Sequence, residues 1–152
     1  MSRIPASALA LGLAGLLPFL WGAAGILAPG LTDWASGFLP GRFQGAAVMQ
    51  IYGLVILSFM AGVIWGFATR ATGLVAGYFY ALSVLPPIWA FFAATGATGP
   101  ALMALLVGFV ALLPIDWTAA RAGLAPDWWM RLRLLLTTVV AACLIVGLGA
   151  EG

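Results

Sequence analysis

The chain has 152 residues, 64% of them hydrophobic and 7% charged, with a net charge of +2. A soluble domain carries about 25% charged residues to clothe its surface, so composition excludes a water-soluble globule and leaves one compact membrane domain over residues 1–152. The basic residues are all arginines scattered along the chain; they form no basic stripe, which excludes nucleic acid as a partner.

No charged residue lies between Arg3 and Asp33, between Arg42 and Arg70, or between Arg70 and Asp116. Each stretch exceeds the ~20 apolar residues that one membrane helix needs, and the last is about twice that length. A first helix is predicted over residues 6–27. Pro18 falls in its middle and kinks it, and Pro29-Gly30 ends it. The start, Met1-Ser2-Arg3, looks like that of a signal peptide, but the apolar run is too long for one and reads as an uncleaved membrane helix. Residues 31–43 read as a surface loop with a short helix in the headgroup zone. Thr32 or Asp33 caps that helix, and Leu31, Trp34 and Phe38 share one face.

A second helix is predicted over residues 45–68, with Arg70 just beyond, and a third over 72–93. Pro86-Pro87 kinks or breaks the third, because the rings deprive the carbonyls of Leu82 and Ser83 of their donors. After an uncharged turn at 95–100 comes a fourth helix over 101–116. A polar loop at 116–129 follows, in which Asp127 is placed to cap a helix and to pair with Arg131. The fifth helix covers 128–147. Trp128 and Trp129 fall in an aromatic belt, and Arg131 and Arg133 snorkel to the same interface. The fold class is all-α, an integral membrane bundle of five transmembrane helices.

Five spans put the two ends on opposite sides. With the N-terminus inside, Arg3, Arg70, Arg121, Arg131 and Arg133 fall on the inner side and Arg42 alone outside. The positive-inside bias then predicts a bacterial inner (cytoplasmic) membrane, with the N-terminus cytoplasmic and the C-terminus periplasmic.

Residues that carry chemistry are scarce. There is no His, hence no imidazole for metal, haem or proton transfer. The single cysteine, Cys143, has no partner for an internal disulfide or a metal pair and reads as a small packing residue. No acidic residue is expected mid-helix, which weighs against ion-coupled transport. No catalytic residue, metal or cofactor is expected.

Three groups of candidates remain. Gln50, Tyr52, Ser58 and Trp65 on the second helix, with Tyr78, Tyr80, Ser83 and Trp89 on the third, suit a pocket for a lipid head or quinone-like ring beside the proline pair. The competing reading has the hydroxyls bonding backbone carbonyls and the aromatics filling the core; Thr137 and Thr138 are expected to back-bond within their own helix. Asp116, Arg121, Asp127, Arg131 and Arg133 form a charge cluster, read either as a site for an anionic lipid head or acidic partner or as a topology determinant. Gly62 and Gly66, and Gly73 and Gly77, are Gly-x-x-x-Gly pairs that serve helix packing, within the bundle or on an oligomer face.

Several strings carry a family resemblance. Gln50-Ile51-Tyr52-Gly53 followed by residues 56–66, Ser83-Val84-Leu85-Pro86-Pro87, residues 125–137 and Leu11-Gly12-Leu13-Ala14-Gly15-Leu16-Leu17-Pro18-Phe19 resemble, in order and spacing, the bacterial family called domain of unknown function 3429. Eukaryotic transmembrane protein 69 is related to that family. The resemblance implies a small multi-pass inner-membrane protein and no established activity. Members often have a His immediately before the Trp-Gly of the main motif; here that position is Ile64.

The leading expectation is a non-enzymatic accessory subunit or scaffold of a membrane assembly, in contact with lipids and other membrane subunits. The alternative is a lipid or hydrophobic-molecule binder or transporter that uses a pocket between the second and third helices. A lipid-acting enzyme relying on a surface Asp116 or Arg131 ranks last.

Overall fold

A computed structural model describes residues 3–151, so Met1 and Ser2 of the leader-like start lie outside the described residues. The helices are α1 (Ala6–Ala14), α2 (Leu17–Leu27), α3 (Gly45–Ala68), α4 (Gly73–Ala93), α5 (Thr98–Arg121) and α6 (Trp129–Glu151). No strand occurs among the described residues. α1 and α2 together make one span, and five spans in all are long and apolar enough to cross a membrane. The chain is a multi-pass membrane protein.

The first span is interrupted rather than kinked. Pro18 lacks an N–H for the carbonyl of Ala14, and its ring collides with that carbonyl in a continuous helix. The helix therefore stops at Ala14, Leu16 N–H turns back to Leu13 O (3.0 Å), and a new helix starts at Leu17 with Pro18 in its first turn, where no donor is needed. α4, by contrast, runs unbroken through Pro86 and Pro87. α5 likewise passes Pro114 and reaches Arg121, beyond the expected end at 116. Its stop is set by Gly123 at φ +71°, where Gly123 N–H bonds Ala120 O and Leu124 N–H bonds Ala119 O, the two closures of a Schellman cap. Nothing between Pro114 and Gly123 breaks a helix, so the last turns form.

α3 is the central helix and packs on α2, α4, α5 and α6. Its inward stripe of Met49, Leu57 and Ile64 is fully buried against Leu102, Leu105 and Phe109 of α5 and Leu144 of α6. Ile64, which precedes the Trp-Gly of the main motif, is thus a core side chain. The close approaches occur at glycines other than the predicted pairs. A Cβ at Gly22 would lie 2.6 Å from Gly45 O, one at Gly53 2.8 Å from Leu105 Cδ1, one at Gly108 2.6 Å from Leu57 Cδ2, and one at Gly147 2.7 Å from Leu102 Cδ1. At Gly62, Gly66, Gly73 and Gly77 a Cβ would meet nothing within 4 Å, so these four make no close helix contact inside the bundle.

Polar side chains fasten the turns. Gln50 Nε2 donates to Ala94 O (3.1 Å) and Gly96 O (2.9 Å), and Trp89 Nε1 donates to Ala104 O (2.9 Å). Arg70 Nη1 donates to Leu124 O (2.8 Å) and so joins the α3–α4 turn to the α5–α6 loop. Residues 29–43 form single 3-10 turns instead of the expected surface helix, and neither Thr32 nor Asp33 caps them through its side chain. Leu31, Trp34 and Phe38 are nonetheless exposed, with Trp34 against Phe38 at 5.4 Å and against Trp21 at 6.1 Å.

Candidate functional site

The extended α5 changes the standing of Asp116. It does not end a helix at the membrane surface; it lies inside α5, 1% exposed, and faces the first turns of α6. Its Oδ2 accepts from Arg133 Nε at 2.6 Å and its Oδ1 from Trp129 Nε1 at 2.7 Å. Trp129 and Arg133 are one turn apart on α6, so one carboxylate grips both. Arg133 is 2% exposed and turned into the bundle, not snorkelling to the interface. The expectation that no acid sits within a helix fails here. In hydrocarbon a lone charge is costly, and each partner is tolerated because the other is there.

The rest of the predicted cluster stays outside. Arg121, Asp127 and Arg131 are exposed, and Arg121 lies over the Trp117 ring, 5.0 Å from its centroid. Arg42 lies over the Phe43 ring at 4.9 Å. The five charges are therefore a buried pair and a separate exposed set.

A cavity of about 420 Å³ opens between α1, α3 and α6, within the ~300–1,000 Å³ range of small-molecule sites. α1 packs on α6, while α2, beyond the break before Pro18, packs on both α3 and α6. α3 contributes Tyr52, Ile56, Phe59, Met60 and Val63, one helical face, and α6 contributes Trp129, Leu132, Arg133, Leu136, Thr137 and Val140, another. Phe19, set edge-on to Tyr52 (5.4 Å) and Phe109 (6.1 Å), lines it too. Leu11 (75% exposed) and Phe59 (66%) line the cavity and also reach the outer surface, so the opening is lateral, towards the lipid.

Of the pocket candidates predicted on the second and third helices, only Tyr52 lines this cavity. Trp65 and Tyr80 do meet, with ring centroids 4.6 Å apart, on the opposite side of α3. Ser83 donates back to Tyr80 O (2.7 Å), as the structural reading of the hydroxyls expected, while Tyr78 is exposed. Ser58 lies away from the cavity, and Gln50 and Trp89 serve the ties already described.

The polar end of the cavity was missed in sequence. Thr138 back-bonds to Leu134 O at 2.8 Å as expected, but Thr137 Oγ1 has no partner, and neither has Arg133 Nη2; both atoms are buried. The available signal was the spacing Arg133–Thr137, i and i+4 on one face with Trp129 and Leu136. No group of three or more metal-ligating side chains occurs among the described residues.

Fold and cavity define a multi-pass, all-helical membrane protein with a laterally open, mostly apolar cavity. A family model described as "Protein of unknown function (DUF3429)" matches residues 4–149, and the chain belongs to that family. It is 32% identical over 143 residues to transmembrane protein 69 of Xenopus tropicalis, across 93% of this chain and 53% of that protein. The chain thus spans about half the length of that relative. No solved structure matches.

Proposed function

We propose that this protein holds a hydrophobic, membrane-resident molecule in the α1–α3–α6 cavity and performs no chemistry on it. The observation that carries the reading is the combination of an apolar wall open to lipid with two buried, unpartnered polar atoms on one face of α6. Buried donors are almost always satisfied, and a bound head group satisfies these. The site moves from the α3–α4 interface expected in sequence to the other side of α3. The membrane is taken as the bacterial cytoplasmic one, with the N-terminus inside. With Arg133 withdrawn into the bundle, the exposed arginines still divide four to one in favour of that orientation.

A second reading, an accessory subunit of a larger assembly, is favoured by the outward glycines. Gly62 and Gly66 at the end of α3 and Gly73 and Gly77 at the start of α4 have open space around them at the same end of the bundle, where another helix can approach closely.

Native mass spectrometry of the protein extracted from its own membrane in mild detergent tests both. The cavity reading expects a stoichiometric hydrophobic adduct that disappears in an Ala8→Trp/Ile56→Phe variant, which fills the space. A bare protein, or an adduct indifferent to that variant, refutes it. A stoichiometric second polypeptide supports the subunit reading.

A further inference from the structure

We propose that the head group taken by the cavity is neutral and accepts hydrogen bonds through a carbonyl oxygen, as in a quinone ring or an acyl ester, with Arg133 Nη2 and Thr137 Oγ1 as its donors. The inference rests on the cavity reading and adds the chemistry of the ligand.

The charge balance comes first. Arg133 is the one charged side chain in the cavity wall, and Asp116 opposes it at 2.6 Å. The wall is therefore net neutral. A carboxylate or phosphate entering it loses its hydration, meets a guanidinium whose charge is already answered, and is repelled by Asp116 just behind. A neutral carbonyl has no such penalty and needs only donors.

Donors are what the site has to spare. A guanidinium carries five N–H groups and no acceptor; Nε is engaged with Asp116, while Nη2 has no partner. Thr137 leaves its hydroxyl unused where the neighbouring Thr138 spends its own on Leu134 O. The two lie one turn apart on the same face of α6, at the same end of the cavity. Both atoms are covered in this conformation, so a head group reaches them only once these side chains turn.

The two donors lie at the Trp129 end of α6, where Trp129 Nε1 and Arg133 Nε hold one carboxylate. Beyond them the α6 wall runs on through Leu136 to Val140, opposite Ile56 and Phe59, and receives an apolar tail.

The test titrates delipidated protein in maltoside detergent with decylubiquinone, dioleoylglycerol and oleate at pH 8, read by native mass spectrometry. At least one neutral probe binds, and oleate, which loses its hydration and faces Asp116, binds ~10-fold more weakly or not at all. Which neutral probe binds identifies the source of the carbonyl. Thr137→Val, which keeps shape and loses the hydroxyl, weakens the neutral probe by about 5–10-fold. Asp116→Asn leaves the wall cationic and reverses the preference towards oleate; if that variant fails to fold, Thr137→Val and the oleate comparison decide. Oleate binding as tightly as the neutral probes, or Thr137→Val leaving neutral-probe affinity unchanged, overturns the assignment while the cavity reading stands. Binding of none of the three removes the cavity reading and this inference with it.

Discussion

Replacing Asp116 by Asn keeps the outline of the side chain and removes its charge. The amide oxygen can still accept from Trp129 Nε1, now 2.7 Å from Oδ1, so the substitution isolates the pair with Arg133. Arg133 is then a buried cation without a counter-charge. Two unit charges ~4 Å apart at an effective dielectric of about 20 attract by ~4 kcal/mol, which matches the ~3–5 kcal/mol usual for breaking a buried pair from one side. For a chain of 152 residues, each kcal/mol moves the midpoint by about 2–4 °C, so thermal unfolding in detergent falls by roughly 10 °C. The reciprocal Arg133→Met strands Asp116 and costs a similar amount. The double variant Asp116→Leu/Arg133→Met, with no charge left to bury, recovers most of the loss. A single variant that melts within a degree of the parent, or a double variant that loses the sum of the singles, refutes the buried pair as described.

Two further outcomes follow from the packing. Gly22→Ala puts a methyl 2.6 Å from Gly45 O and 2.7 Å from Met49 Cγ, which forces α2 off α3 at a cost of about 1–3 kcal/mol. Gly62→Ala meets nothing within 4 Å and gains up to ~1 kcal/mol of helix propensity; detergent melting curves separate the two, and equal shifts contradict the helix packing. Cys143 is 4% exposed on α6, so a maleimide leaves it unlabelled in the folded protein and labels it fully in dodecyl sulfate; equal labelling rates in both show that this face of α6 is not packed.

The span positions were legible because the bilayer acts on composition. Charge-free runs of sufficient length give helices over 45–68 and close to 73–93, and a long apolar run after Arg133 gives the last, whatever their neighbours do. Where a helix ends was less legible. A polar loop is expected to start at 116, yet no residue between Pro114 and Gly123 breaks a helix. The chain runs on to Gly123, whose left-handed conformation closes the helix. That shift of a few residues turns Asp116 from a surface acid into a buried one. Similarly, Gly-x-x-x-Gly spacing identified glycines on open surface, while Gly22, Gly53, Gly108 and Gly147, in no such pair with one another, mark the real crossings. Spacing along one helix does not say which neighbour it meets.

The candidate site divides the same way. Tyr52 and Arg133 both stood out in sequence, but in separate groups, one assigned to a pocket facing the third helix and the other to the membrane surface. Only the packing of α1, α3 and α6 brings them to the walls of one cavity. The sequence alone determined that this protein spans a membrane, roughly where, and that it has no imidazole, since these depend on residue type and run length, which the solvent reads directly. The tertiary structure decided which polar groups are buried together and which are left without partners. Hydrogen bonds and ion pairs depend on distances between helices remote in the chain, and those distances follow from side-chain packing rather than from composition.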